Sequence, residues 1–150
     1  MRVDEPATVV APAGIDRWMF AVSALYTTAI GLAVIGAPDW VASSFYRHAM
    51  KEEADAVRFV VGDFGGTLVL WGIAYAAVAL DPSKNRAIVW IGAFGKVFIF
   101  LSMTQRFLSG GATAVAFGVG VGDLVFAVLY GLFLWRTRVR APSPAPAAAT

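Results

Sequence analysis

AVAFGVGVGDLVFAVLYGLFLW, residues Ala114–Trp135, carries one charge, Asp123, and is followed at once by Arg136, Arg138 and Arg140. A bilayer core about 30 Å thick needs about 20 apolar residues at about 1.5 Å of rise each. This stretch meets that length and ends where a basic stop belongs. Three more windows read the same way. One runs from about Trp18 to Ala37 and ends at Pro38-Asp39. A second runs from about Phe59 to Leu80 and ends at Asp81-Pro82. A third runs from about Ala87 to Met103. In lipid an unpaired backbone group costs several kcal/mol, so open chains cross as helices. Long unbroken apolar runs do not suit a β-barrel, whose strands alternate. The expectation is an all-α integral membrane four-helix bundle.

Composition agrees. Of 150 residues, 59% are hydrophobic and 15% charged. Ordinary globular domains carry about 45–50% apolar and about 25% charged residues. The chain has no cysteine and one histidine, His48. Thiolate metal sites, iron–sulfur ligation and thiol chemistry are therefore out of reach, and a multi-histidine metal centre is too. No metal site is expected. No phosphate-binding glycine loop or Ser-His-Asp set is legible. The three arginines after Trp135 suit anionic lipid and topology, and they are too few for nucleic acid.

Residues 1–15 read as a flexible tail with Asp4, Glu5, Pro6 and Pro12, unlike a secretory signal. Residues 141–150 are Ala/Pro-rich and build no core. The transmembrane domain is expected over residues 16–140. Lys and Arg number seven at the N-terminus, the loop after the second span and the C-terminus, against four on the other side (Arg47, Lys51, Arg58, Arg106). The positive-inside rule then puts both termini in the cytoplasm. Trp18, Trp90 and Trp135 would mark one interface and Trp40 the other. Residues 39–57 carry Trp40, Val41, Phe45 and Ala49 at helical spacing and read as an interfacial helix with a solvated end.

Three ionisable residues fall inside spans: Asp63, Lys96 and Asp123. Each costs about 2.5–3.5 kcal/mol at a helix centre on insertion scales, so each wants a partner or a use. Lys96 is ten residues past Arg86, about 15 Å in; Asp123 is twelve residues before Trp135, about 18 Å in. The two are level enough to pair. Asp63, seventeen residues before Leu80, lies higher at about 25 Å, within reach of Arg106 or of Lys96 through water. Thr67 shares the Asp63 face, and Gly120 and Tyr130 share the Asp123 face. Ser23 and Thr27 line one side of the first span and read as interhelical hydrogen-bonding groups. Together Asp63, Lys96, Asp123, Thr67 and Tyr130 form the candidate charge network or polar cleft. Gly62, Gly66, Gly92, Gly95, Gly118 and Gly122 are the candidate close-packing positions, two pairs of them in G-x-x-x-G spacing.

Val61-Gly62-Asp63-Phe64 and Val121-Gly122-Asp123-Leu124 echo each other in the second and fourth spans. The echo predicts two helical hairpins related by an axis along the membrane normal, as in parallel-repeat transporters.

Four spans with short tails, a proline (Pro38) after the first, Val121-Gly122-Asp123-Leu124 and Gly95-Lys96 together resemble the small bacterial DoxX-like four-helix membrane proteins and related families. The resemblance covers about residues 17–136. It implies a multi-pass protein of the inner (cytoplasmic) membrane that serves as a small subunit of quinone-coupled oxidation systems. No catalytic residue is carried over. The leading expectation is a non-catalytic accessory subunit that holds a lipid or quinone against a membrane partner, or assembles as a homo-oligomer. No cofactor motif is present. The alternative is a small proton- or ion-coupled transporter using Asp63, Lys96 and Asp123. A third is a lipid-modifying membrane enzyme with Asp63 and Asp123 as acid and base.

Overall fold

The computed structural model describes residues 14–47 and 54–138. They form five helices: α1 (Gly14–Gly36), α2 (Pro38–Phe45), α3 (Ala54–Leu80), α4 (Arg86–Leu108) and α5 (Ala114–Arg136). Four of these, over Gly14–Gly36, Val61–Leu80, Arg86–Leu108 and Ala114–Arg136, are long and apolar enough to cross a membrane. Large apolar side chains such as Leu25, Leu32, Leu70, Ile73, Phe94 and Val128 stand exposed on the bundle surface. Water would not tolerate that belt, whereas lipid is its natural solvent.

Each turn has a local cause. Pro38 is the first residue of α2, and Ala37 before it takes an extended φ of −143°. A residue preceding proline is pushed out of the helical region, so α1 and α2 separate there. Gly110 ends α4 with φ +78°. The N–H groups of Gly111 and Ala112 fold back onto the Arg106 carbonyl at 2.9 and 3.0 Å, a glycine-based helix stop. Thr113 then caps α5 by accepting from the Ala116 N–H at 3.3 Å.

Helix bounds differ from the apolar windows. α4 runs five residues past Met103, and α3 begins at Ala54, inside the expected connector. Hydropathy marks the lipid-facing stretch, while backbone hydrogen bonding continues into polar residues such as Gln105 and Arg106. The connecting helix is shorter than expected and ends at Phe45. Tyr46 there turns extended and pairs with Ala112 in an isolated antiparallel bridge. The Thr113 N–H donates to the Phe45 carbonyl at 2.9 Å, and the Arg47 N–H to the Gly111 carbonyl at 3.2 Å. The exit from α2 is thus tied to the α4–α5 turn. His48, Ala49 and Lys51–Glu53 of the expected connector, and the tails outside residues 14–138, lie outside the described residues.

The helices pack as two antiparallel pairs. α1 lies on α3, where the Gly31 and Gly65 backbones nearly touch and Gly72 faces Ala24 and Thr28. α4 lies on α5, where Gly120 faces Met103 and Phe107 stacks on Phe117 with centroids 4.9 Å apart. Phe20, Tyr75, Val78, Val89, Tyr130 and Phe133 form one buried cluster in the half of the bundle nearer the chain termini. Two clamps close that end. Arg136 meets Asp16 at 2.6 Å, joining α5 to α1. Arg86 donates to the carbonyls of Thr137 (3.0 Å) and Leu134 (3.2 Å) and to the Thr137 hydroxyl, joining α4 to α5. Its guanidinium also lies over the Phe133 ring.

Candidate functional site

Lys96 on α4 and Asp123 on α5 meet in the interior, with Nζ 2.6 Å from Oδ1. Both are buried, at 5% and 8% exposure. Their helix registers bring them level, and the long lysine stem carries the ammonium across the helix contact. A charge in this position is stable only if neutralised and further solvated. The second requirement is met by aromatic faces. Nζ lies 5.5 Å from the Tyr26 ring centroid, 5.4 Å from that of Tyr75 and 5.1 Å from that of Phe126. Three rings from three helices (α1, α3, α5) therefore surround one ammonium at cation–π distance.

These rings are themselves held. The Tyr26 hydroxyl donates to the Val119 carbonyl at 2.9 Å and touches the backbone at Gly122. Tyr75 lies against Gly92, where a Cβ would come 2.7 Å from the phenol oxygen. Tyr75 packs on Trp71 and on Tyr130, with centroids 5.7 and 5.4 Å apart. Tyr130, fully buried, shares a hydrogen bond with the Ser23 hydroxyl.

Beside the ion pair lies a cleft of about 610 Å³. Its walls are almost wholly apolar: Ile30 and Val34 from α1, Leu68 and Trp71 from α3, Phe98 and Ile99 from α4. Val41, Ala42, Phe45 and Tyr46 close it at the α2 end. The exposed lining residues, including Phe64 and Thr67 on α3 and Ile91, Phe94 and Phe98 on α4, all belong to those two helices. The cleft therefore opens sideways, between α3 and α4, toward the lipid-facing surface. Small-molecule sites typically enclose about 300–1,000 Å³, and this volume falls in that range.

The expected polar set is only partly assembled. Lys96 and Asp123 come together. Asp63 does not join them: it is exposed on α3, and among the described residues it pairs with neither Arg106 nor Lys96. It lies seventeen residues before Leu80, about 25 Å along α3 and so near the far edge of a core about 30 Å thick, where a carboxylate reaches water. Thr67 borders the cleft, but its hydroxyl donates to the Asp63 carbonyl at 3.0 Å within its own helix. Tyr130 lies below the pair in the closed core rather than in the cleft.

The glycines need a larger correction. A Cβ added at Gly62, Gly66, Gly95 or Gly118 would meet nothing within 4 Å, so these four are not close-contact positions. Gly92 and Gly122 are, each against a tyrosine hydroxyl. The tightest backbone approaches are at Gly31, Gly65 and Gly72, with Gly120 against Met103, and none of these four was among the expected packing positions.

Sequence reasoning also passed over Tyr26, Tyr75 and Phe126. Aromatic residues in a membrane helix look alike whether they face lipid or a buried cation. Helical phase relative to Lys96 and Asp123 was the one available signal. Comparison with known protein families, with curated proteins and with solved structures finds no match to this chain.

Proposed function

We propose that this protein is a small, non-catalytic accessory subunit of the bacterial inner membrane, with both termini cytoplasmic. In this reading it holds an amphiphile of the lipid or quinone type in the cleft and presents it to a partner membrane protein. The observation that carries it is the sideways-opening apolar cleft with the Lys96–Asp123 pair in its wall. An amphiphile diffusing in the bilayer could enter between α3 and α4 without crossing water.

Two features weigh against the alternatives. A transporter needs a route to both membrane faces. Beneath the ion pair, Phe20, Val78, Val89, Tyr130 and Phe133 are fully buried and fill the bundle. The cleft therefore stops near mid-depth. A lipid-modifying enzyme with two carboxylates needs Asp63 beside Asp123, and Asp63 stands exposed and does not line the cleft.

The test is extraction of the full chain from native membranes in mild detergent, followed by mass spectrometry of co-purifying proteins and extracted small molecules. A stoichiometric membrane partner together with a bound lipid or quinone is the expected result. A lone protein that carries protons or ions in proteoliposomes, and loses flux on Asp123→Asn, would overturn the reading.

A further inference from the structure

Thr27 differs from Thr67, Thr104 and Thr137, whose hydroxyls donate to the carbonyl four residues back. A buried threonine hydroxyl normally returns its proton to the carbonyl four residues back. Thr67 does so to Asp63 at 3.0 Å, and Thr104 to Phe100 at 2.8 Å. Thr27 is buried, at 5% exposure, borders the cleft, and its Oγ1 finds no hydrogen-bond partner among the described residues. Among the described residues it is the single buried side-chain polar atom in that condition. A polar group removed from water without a partner costs free energy, so a ligand that supplies one is favoured at this point.

Charge narrows what that ligand can be. Lys96 and Asp123 cancel each other within the cleft wall. An anionic head would set a second negative charge beside Asp123, and a cationic head would meet Lys96. Both penalties grow in a low-dielectric interior. Depth narrows it again. Thr27 is thirteen residues along from Gly14, about 20 Å into the span, level with the ion pair. A charged phospholipid head group does not belong at that depth. The bonding pattern narrows it a third time. The Thr27 hydroxyl can donate or accept, whereas the Lys96 ammonium only donates, so a single group that meets both is an acceptor.

We propose that the cleft takes an uncharged lipid bearing a carbonyl group. Its carbonyl oxygen accepts from Thr27 and Lys96, and its hydrocarbon chain leaves between α3 and α4. This deepens the amphiphile reading and rests on it. Asp123 holds the ammonium in place and is a positioning residue here.

Trp71 borders the cleft, whereas Trp18, Trp40, Trp90 and Trp135 are exposed on the bundle surface. Bromine quenches tryptophan at contact range, so the test uses three dibrominated probes of equal chain length. They are a stearoyl monoglyceride, a stearate carboxylate and an octadecane, added to the full chain in detergent micelles. The Trp71→Phe variant supplies the background to subtract. The expected result is tightest quenching of Trp71 by the monoglyceride. Thr27→Val, which keeps the side-chain shape, should weaken the monoglyceride by about 5-fold and leave the alkane unchanged, as the loss of one hydrogen bond would. If the three probes quench Trp71 equally, or Thr27→Val has no effect, the head-group inference fails while the amphiphile reading stands. If the carboxylate binds tightest, the charge argument is wrong. If none of the probes reaches Trp71, both inference and reading fall.

Discussion

Val61-Gly62-Asp63 on α3 and Val121-Gly122-Asp123 on α5 are the same three residues on two helices that run in the same direction. Asp63 is exposed, seventeen residues before the Leu80 end of α3 and about 25 Å along it. Asp123 is buried nine residues beyond Ala114, about 14 Å along its helix, bonded to Lys96. The neighbouring glycines differ as well: Gly62 faces open space, while Gly122 receives Tyr26. A short motif therefore does not carry a role by itself. Depth in the bilayer and the residue on the facing helix decide whether a carboxylate is solvated or becomes part of an interior. As duplication, the echo has little support in packing. Gly65 and Gly72 on α3 make the close approach to α1, and the positions two and nine residues after Asp123 are Val125 and Leu132.

The largest expected effect tests that contrast directly. Removing one partner of a buried pair leaves an uncompensated charge and costs about 3–5 kcal/mol. Lys96→Met should lose that much in reversible unfolding from mixed micelles, and Asp63→Asn should stay within about 0.5 kcal/mol of the parent, as surface changes do. The double variant Lys96→Met/Asp123→Leu should regain most of the loss, because no lone charge remains. Equal losses at Asp63 and Lys96 would mean that Asp63 is as buried as the interior pair and would break the contrast.

The next effect compares the two helix pairs. At Gly31 a Cβ would come 2.8 Å from the Gly65 carbonyl oxygen, and at Gly65 it would come 3.0 Å from the Gly31 carbonyl oxygen. Backbone cannot step aside as a side-chain tip can. Gly31→Ala should therefore cost about 1–3 kcal/mol by overpacking. Gly62→Ala and Gly118→Ala, which meet no neighbour, should be neutral or stabilise by up to about 1 kcal/mol through helix propensity. The same unfolding assay reads both. A loss at Gly118 comparable to that at Gly31 would point to a surface used by a second chain.

These contrasts also mark what could be read without coordinates. Span number and type were legible, because about 20 apolar residues in lipid leave the backbone one solution. The pairing of Lys96 with Asp123 was legible from depth, since helix rise is constant. Glycine contacts were not. G-x-x-x-G spacing says that two glycines share a face, and it does not say which face meets a helix. Gly62 and Gly66 share a face that turned out to meet none, while Gly65 lies on the one that does. The isolation of Thr27 Oγ1 was also beyond reach, because a threonine bonded to its own helix and one left unbonded have identical sequence neighbourhoods. The early end of the connecting helix depended on pairing with Ala112, 66 residues away, and long-range contacts leave no local trace.

The smallest effect concerns a second lysine–aspartate pair, in the turn after α3. Asp81 accepts from the Ser83 hydroxyl at 2.7 Å and from the Lys84 N–H at 3.2 Å, and it meets Lys84 Nζ at 3.1 Å. Unlike the interior pair, this one stands in solvent, where salt and water screen it. The Ser83 hydrogen bond, followed by those to Lys84, holds the carboxyl at about 2, below its ordinary 3.8. A depressed carboxyl stabilises the folded chain above its unfolded pKa, and that contribution fades as pH falls from about 3.8 through about 2. Ser83→Ala should raise the carboxyl back toward its ordinary value, so that it titrates earlier on acidification. Carbon-13 NMR of the Asp81 carboxyl reads this directly. Ser83 is the largest single cause, and Lys84→Gln keeps the backbone N–H bond and a side-chain donor, so it should move the midpoint less than Ser83→Ala does. The reverse order would mean that charge, rather than the hydroxyl that closes the turn, governs this pair, and would bring it closer in kind to Lys96–Asp123.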